Sequence, residues 1–275
     1  MEMKYGVELT GMPIREYLLM LKANGLDTLP GTAAEILDDS VRMVLSRNKL
    51  TTAQWCEVIE TAHECGIRST STMMYGHRET PEHWVSQMLL LRSIQGRTGG
   101  FTEFVPLSFV HTEAPMWKRG TVAGLRPGPG GTEVLRVHAV SRIVLDRAIP
   151  NLQVSWVKDG PRVAQLLLGA GANDLGGTLI NESISTSAGA AWGQLVPPRE
   201  MRRLIRGAGR VPAERLTTYR IRRRFGASDD DAPDALDLAA ADAARFGSYR
   251  QLIKMDRFRY HHPGRADAAP QEAAR

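Results

Sequence analysis

Two periodicities of apolar residues alternate along the first 225 residues of the chain. After Pro13, apolar side chains fall at i, i+3, i+4 and i+7 from Ile14, which predicts an amphipathic helix that ends at Gly25. The same criteria, with capping residues such as Thr51 and Gln54, predict helices from residue 38 and over 51–64, 80–95, 132–146, 161–168 and 199–206. Strands or extended pieces are predicted within 27–37 and over 67–74, 101–107, 152–156, 173–178 and 216–221.

Strands that are separated by helices of about 10–15 residues are typical of βα units and a parallel sheet. The pattern contains about four or five such units, whereas a closed barrel has about eight units in about 250 residues. The predicted fold class is therefore α/β, with residues 1–225 forming part of a TIM-type (βα) barrel rather than a whole one. Residues 226–275 turn rich in Ala and Asp, and we expect a poorly ordered tail with at most a short helix over 251–260.

Composition excludes several classes of protein. Hydrophobic side chains make up 43% of the 275 residues, which is ordinary for a folded chain, and no apolar run approaches the roughly 18 residues of a membrane span. Residues 1–10 carry Glu2, Lys4 and Glu8 and lack the apolar core of a signal peptide. We therefore expect a cytoplasmic protein with no membrane segment, and two cysteines agree with a reducing compartment.

The net charge of +5 is concentrated in one segment. Residues 199–224 contain ten arginines against Glu200 and Glu214, whereas residues 1–198 are close to neutral. Such a segment could bind nucleic acid or phosphate, but no nucleic-acid motif accompanies it. A solvated basic face or a subunit contact is the favoured interpretation, and nucleic acid is not an expected partner.

Polar residues follow the predicted strands, where parallel α/β folds place their active groups. They include Glu35 after the first strand, and Ser69 and Ser71 in the next strand. Residues 69–72 all carry hydroxyl groups, and because side chains alternate along a strand, only every second one can face the interior. Tyr75 and His77 end that strand, and His77 could act as a general base or simply cap the next helix. Glu103, Asn173 and Asp174 complete the set of candidates.

The cysteines exclude a metal or cluster site made by this chain alone. Cys56 and Cys65 are nine residues apart on one predicted helix, so they point to opposite faces and cannot share one metal ion. An iron–sulfur cluster usually takes three or more thiolates. We expect two buried small side chains and no metal site.

Four segments carry a resemblance to a known family: Leu-Pro-Gly-Thr-Ala-Ala-Glu-Ile-Leu-Asp-Asp (29–39), Ser-Thr-Met-Met-Tyr-Gly-His (71–77), Gly-Gly-Phe-Thr-Glu-Phe-Val-Pro-Leu (99–107) and Gly-Ala-Asn-Asp-Leu-Gly-Gly-Thr (171–178). Together they resemble the CofH-type radical S-adenosylmethionine (SAM) enzymes, which form one subunit or the C-terminal half of Fo synthases. The resemblance covers about residues 11–225. The radical SAM enzymes of the futalosine menaquinone pathway share this architecture and are the alternative family.

The resemblance implies deazaflavin (Fo, coenzyme F-420 precursor) biosynthesis. In that family SAM and a 4Fe–4S cluster initiate transfer of the 4-hydroxybenzyl group of tyrosine to 5-amino-6-(D-ribitylamino)uracil. Tyrosine and the ribitylaminouracil are the implied substrates, and the companion Fo synthase subunit is an implied partner. By analogy, Glu35, Ser69 and Ser71 would lie near SAM, Tyr75 and His77 would take part in catalysis, and Glu103, Asn173 and Asp174 would contact the substrates.

The family's Cys-x-x-x-Cys-x-x-Cys motif, which binds the cluster, is absent from this sequence. In the family this motif lies in the first βα units, so the resemblance implies a partial radical SAM/TIM-type barrel that lacks its first strands. We therefore expect a truncated chain that is inactive alone. Two alternatives stay open: a non-catalytic remnant or binding partner without a cluster, and a futalosine-pathway relative.

Overall fold

The computed structural model describes residues 2–32, 34–180, 182–193, 195–228 and 232–238. Its helices are α1 (Glu2–Thr10), α2 (Ile14–Ala23), α3 (Asp39–Leu45), α4 (Thr52–Glu64), α5 (Pro81–Thr98), α6 (Pro115–Lys118), α7 (Gly131–Leu145), α8 (Trp156–Asp159), α9 (Pro161–Leu167), α10 (Ser183–Ser187) and α11 (Pro198–Gly207). Its strands are β1 (Thr28–Leu29), β2 (Arg68–Tyr75), β3 (Phe101–Ser108), β4 (Ala213–Arg215) and β5 (Ile221–Arg224). The α/β class is confirmed.

Strands β1, β2 and β3 form a parallel sheet in chain order. Isolated parallel bridges extend the order, because Leu152 pairs with Phe104 and Asp174 pairs with Gln153. Each new parallel segment thus lies beside the preceding one in the chain, and helices connect them. Short right-handed crossovers favour this arrangement of successive βα units.

One irregularity decides which way β3 presents its side chains. Ser69 pairs with Phe101, but the next residue of β2, Thr70, pairs with Glu103, so Thr102 is an extra residue in β3. Phe101 consequently shares the face of Ser69, and Glu103 shares the opposite face with Thr70. We call the face that carries Glu103 the inner face of the sheet.

The predicted helix caps are confirmed. Asp38 accepts a hydrogen bond from Ser40 N at the start of α3, and Thr51 and Gln54 form a reciprocal capping box on α4. Helix α5 ends at Gly99, which adopts a left-handed conformation with φ 62° that other residues reach only with strain.

The apolar core lies between the sheet and its helices. It joins buried residues from Ala34 to Leu204, with Met73, Met88, Leu91 and Phe104 fully buried. A separate small cluster of Leu18, Ala62, Cys65 and Ile67 holds α2 against α4. No helix in the described ranges is both long and apolar enough to cross a membrane.

Three sequence predictions need correction. Residues 152–156 form only isolated bridges at Leu152 and Gln153, because Trp156 already begins α8. Residues 216–221 are largely the turn of an antiparallel hairpin of β4 and β5, not an extended piece. Helix α1 was not predicted, since it contributes no buried residue and packs against the small cluster around Leu18 through the half-buried Met3.

The predicted tail is described only in part. Residues 235–238 form a helical turn, and Asp237 contacts α11 through Arg199 and Arg202. This portion is therefore packed against the fold. The short helix predicted over 251–260 lies outside the described residues.

Candidate functional site

Ser69 and Ser71 lie on the face of the sheet opposite to Glu103. The Ser69 hydroxyl is 2.9 Å from His63 Nε2 on α4, and Ser71 Oγ donates to the Glu103 carbonyl oxygen at 2.8 Å. Both side chains are buried against the helix layer. On β2, the side chains that point to the inner face are those of Thr70, Thr72 and Met74.

Glu103 is the centre of a polar cluster that three distant parts of the chain build. The Tyr219 hydroxyl donates to Glu103 Oε2 at 2.9 Å, and Arg215 Nη2 lies 3.6 Å from Glu103 Oε1. Arg215 Nε also donates to Asp174 Oδ2, and its guanidinium stacks 4.4 Å from the centre of the Tyr219 ring. Glu103, Asp174, Arg215 and Tyr219 are hereafter the Glu103 cluster.

The Glu103 cluster places two carboxylates beside a single arginine. Burial and the charge of Asp174 raise the pKa of Glu103 to about 8, although Arg215 and the Tyr219 hydroxyl act in the opposite direction. Burial likewise raises the pKa of Tyr219. The Glu103 carboxyl is therefore protonated near neutral pH, and it can both donate and accept a hydrogen bond.

Sequence reasoning found Glu103 and Asp174 but missed Arg215 and Tyr219. Both lie within the arginine-rich segment, where one arginine cannot be told from its nine neighbours. Tyr219 has a left-handed backbone with φ 65°, which is uncommon for an aromatic residue. Its hydroxyl reaches Glu103 from the turn between β4 and β5. The one feature of the sequence that could have pointed to Tyr219 is that it is the aromatic residue within the arginine-rich segment 199–224.

Asn173 lies beside the cluster but is occupied by the backbone. Its Oδ1 accepts from Leu152 N at 2.8 Å and from Arg142 Nη2 at 3.1 Å, and its Nδ2 donates to the Pro150 carbonyl at 3.1 Å. These bonds fix the parallel segments at 152 and 174. Its predicted contact with a substrate stays a prediction.

A cavity of about 1070 Å³ adjoins the Glu103 cluster. Asp174, Arg215 and Tyr219 line one side, and the apolar side chains of Met201 and Ile205 on α11 line another. A cleft that combines an apolar wall with a few convergent polar groups is typical of small-molecule sites.

Tyr75 is part of a second polar group, at the carboxyl ends of β2 and β3. Its hydroxyl lies 3.0 Å from Ser108 Oγ, and Ser108 donates to Asp159 Oδ1 at 2.5 Å. Burial raises the pKa of Asp159 to about 6. Glu103, by contrast, is the third residue of β3, so it lies nearer the amino end than the sequence predicted.

His77 is 1% exposed, and protein atoms engage both of its ring nitrogens. Nε2 lies 2.9 Å from the Met74 carbonyl, and Nδ1 lies 2.7 Å from Arg78 N. Next to it, Glu79 accepts hydrogen bonds from the backbone of His77 and from Trp84 Nε1, and it pairs with Arg126. Burial raises the pKa of Glu79, but its bonds and the charge of His77 outweigh burial and hold that pKa well below its usual range.

Glu35 lies beside the end of β2, where its carbonyl oxygen accepts from Met74 N at 2.9 Å. It follows β1 with φ 34°, a strained value, and its carboxylate pairs with Lys49. Its Oε2 is 3.7 Å from Arg42 Nη1 and has no hydrogen-bond partner among the described residues. The structure therefore does not bring Glu35 together with Ser69 or Ser71.

The thiols do not fit an iron–sulfur cluster. Cys56 packs against the main core, whereas Cys65 belongs to the small cluster around Leu18. Across the described part of the chain, no three His, Cys, Asp or Glu side chains form a group that could hold a metal ion. No chemical step through a cluster is derived for this chain.

Residues 98–227, which include every member of the Glu103 cluster, match the family model described as the CofH/MqnC C-terminal region. Over these residues the chain is similar to that family. The match includes two of the four segments that carry the CofH-type resemblance, 99–107 and 171–178, and together with the relatives described next it confirms that resemblance. The CofH/MqnC region begins just before β3 and ends just after β5.

Relatives of known name extend the similarity beyond the CofH/MqnC region. The FO synthase of Mycobacterium leprae is 51% identical over 222 residues, which are 81% of this chain and 25% of that protein. The 5-amino-6-(D-ribitylamino)uracil–L-tyrosine 4-hydroxyphenyl transferase of Methanocaldococcus jannaschii is 50% identical over 221 residues, which are 80% of this chain and 61% of that protein. The same transferase of Methanothermobacter thermautotrophicus is 52% identical over 220 residues, 80% of this chain and 59% of that protein. The chain thus spans a quarter to three-fifths of the length of these relatives.

Proposed function

We propose that this chain is the C-terminal portion of a 5-amino-6-(D-ribitylamino)uracil–L-tyrosine 4-hydroxyphenyl transferase of deazaflavin biosynthesis. The observation that carries the proposal is about 50% identity to the methanogen transferases over 80% of this chain. The parallel order of β1, β2, β3 and the segments at 152 and 174 supports an arc of a TIM-type barrel whose other strands come from another part of the enzyme.

In this proposal the Glu103 cluster recognises the ribitylaminouracil. Asp174 and Arg215 reach the cavity and offer an acceptor and a set of donors, which complement the hydroxyl and amide groups of that substrate. Glu103 lies behind them, and its contact with Arg215 and the stacking of Arg215 on Tyr219, which also lines the cavity, hold the Arg215 guanidinium in place. Glu103 is therefore a positioning residue.

Tyr75 and His77 take a positioning role as well, because both are buried and hydrogen-bonded within the protein. They would fix the carboxyl ends of β2 and β3. Glu35 remains the proposed contact for SAM, since its buried Oε2 could accept a hydrogen bond from a bound ligand. The cluster ligands, and a companion Fo synthase subunit, would come from outside this sequence.

The proposal is tested in a chimera. The 221 matched residues of the M. jannaschii transferase are replaced by those of this chain, and the tyrosine-dependent adduct of the ribitylaminouracil is measured by mass spectrometry under anaerobic conditions. We expect product from the chimera. A chimera that binds SAM and a cluster as the parent does, yet makes no adduct, would contradict the proposed function and favour a non-catalytic remnant.

Paired variants test the site within the chimera. Arg215→Met should raise KM for the ribitylaminouracil at least about tenfold, because a charged donor to the substrate contributes about 1.5–3 kcal/mol. Arg224→Met is the matched control, since Arg224 is an exposed arginine of the same hairpin that does not line the cavity. Equal KM values in the two variants would remove Arg215 from the substrate site.

A further inference from the structure

Residues 232–238 lie across the start of α11 and outside the CofH/MqnC region, which ends at residue 227. Asp234 and Leu236 of this segment line the same 1070 Å³ cavity as Arg215 and Tyr219. Part of the cavity wall is thus supplied by chain that the family region does not include. We call residues 232–238 the strap.

Asp237 fastens the strap by capping α11 from a distance. The helix begins at Pro198 behind Pro197, and the N-cap residue makes no side-chain capping bond. Asp237 Oδ1 instead accepts from Arg199 N at 2.7 Å, which satisfies a donor that the first turn leaves without an intrahelical partner. A carboxylate at this position is also favoured by the helix dipole.

The second carboxylate oxygen of Asp237 makes one contact within the strap and one with α11. Oδ2 accepts from Asp234 N at 2.7 Å and lies 3.3 Å from Arg202 Nη2. The side chains of Asp237 and Arg202 are 9% and 7% exposed. Burial raises the pKa of Asp237, but the bonds from Arg199 and Asp234 and the charge of Arg202 outweigh it, so the pKa lies below its usual value.

Asp234 gives the strap a fixed shape. Its Oδ1 accepts from Leu236 N at 3.0 Å, and its carbonyl accepts from Asp237 N at 3.0 Å. Leu236 is therefore held in one position on the cavity wall, facing the same space as Met201 and Ile205. Apolar groups line this part of the cavity.

We propose that the strap controls entry to the apolar side of the cavity, with Asp237 as its latch. Breaking the bonds of Asp237 to Arg199 and Arg202 gives small amphiphilic molecules faster access to the part of the α11 wall that lies beside Leu236. This role depends on the cavity and the strap alone, and it holds whichever reaction the complete enzyme performs.

Access is measured on the full chain by thiol labelling. Ile205→Cys places a thiol on the α11 wall, and mass spectrometry of its peptide follows the rate of reaction with a maleimide separately from Cys56 and Cys65. Adding Asp237→Ala should accelerate labelling at least about fivefold, the effect expected for loss of one helix cap. Glu200→Ala is the matched control: it removes a carboxylate from the same helix that pairs with exposed Arg203 and makes no bond to the strap's Asp237, and the rate should not change.

A second variant separates an open strap from a damaged helix. Leu236→Ala thins the wall and leaves Asp237 in place, so it should accelerate labelling while hydrogen exchange at the Arg199 amide stays slow. Asp237→Ala should accelerate both. If neither variant labels faster than the Ile205→Cys parent, the strap does not control access and the proposal is wrong.

Discussion

Glu103 occupies a site where burial and a neighbouring carboxylate together outweigh an adjacent arginine. Its side chain is 2% exposed, and Asp174 competes with it for the same Arg215. A charged carboxylate in such a place is costly, and the protein reduces the cost by keeping the proton. The free energy of unfolding therefore depends on whether the Glu103 carboxyl is protonated.

The first prediction concerns the pH dependence that Glu103 causes. Its pKa is raised in the folded state to about 8, so its contribution to stability is complete below the unfolded value of 4.5 and is lost as the pH rises through 8. Glu103→Gln should remove this loss, which is about 5 kcal/mol at most. Urea midpoints at pH 5, 6.5 and 8 should fall more steeply for the wild type than for the variant.

Two buried histidines change the stability with pH in the direction opposite to Glu103. The effect of Glu103 is therefore measured as the difference between the wild type and Glu103→Gln. Burial lowers the pKa of His63 and of His138 to about 4, and each contributes stability above 6.5 that is lost as the pH falls through 4. Both histidines are unchanged in Glu103→Gln. Parallel pH curves for the wild type and the variant would show that Glu103 is charged in the folded protein.

Individual residues also mark the limit of sequence reasoning. Glu103 and Asp174 were predicted because acidic residues at strand ends stand out against apolar strands. Ser69 and Ser71 were predicted to lie near SAM and their side chains face the helix layer, because alternation alone does not say which parity faces the helices. Arg215 and Tyr219 could not be selected, since their partners are 41 and 116 residues away in the chain.

Helices and strands were predicted best where local chemistry determines them. Asp38 and Thr51 make caps whose signals are contained within a few residues, whereas α5 runs three residues past its predicted end at 95 and stops before Gly99. The hairpin of β4 and β5 was missed because its residues are mostly charged and exposed, so no apolar alternation marks it. Its pairing is antiparallel, unlike the rest of the fold.

Helix α5 provides a matched pair of glycines. Gly96 lies inside the helix and Gly99 follows its end, and a methyl group at either would meet no atom within 4 Å. Gly96→Ala should stabilise the fold by about 0.5–1 kcal/mol, because it lowers the entropy of the unfolded chain. Gly99→Ala should destabilise it by about 1 kcal/mol, because φ is 62° there.

Thermal or urea unfolding of the two variants measures both changes in the free energy of unfolding, the expected gain for Gly96→Ala and the expected loss for Gly99→Ala. The substitution is the same, the positions are three residues apart, and neither creates a clash. A shift of the same sign in both would contradict the left-handed end of α5.

The whole molecule has one main core and a weakly attached amino-terminal helix. The main cluster connects residues from Ala34 to Leu204 of α11, whereas α1 buries no residue and packs against the small cluster around Leu18 and against α2, where Tyr17 closely approaches Gly6. Stability should therefore differ strongly between the two ends of the chain.

Hydrogen exchange should reveal this difference. Amides of α1 should exchange at least about a hundredfold faster than those of β2 and β3, whose opening requires loss of the main core. Deleting residues 1–10 should leave the exchange of β2 and β3 unchanged, and deuterium uptake measured by mass spectrometry provides the comparison. Slow exchange throughout α1, or faster exchange in β2 after the deletion, would contradict it.

The extra residue in β3 has a consequence for how this site could arise or disappear among related sequences. Thr102 is the residue of β3 without a partner in β2, so a single-codon deletion there would leave Phe101 opposite Ser69 and Glu103 opposite Thr70, and Glu103 would still point to the inner face. A search for inactivated relatives that treats every gap in β3 as damage would therefore misclassify such a sequence. At this position a gap carries less information about the site than a substitution of Glu103, Asp174, Arg215 or Tyr219.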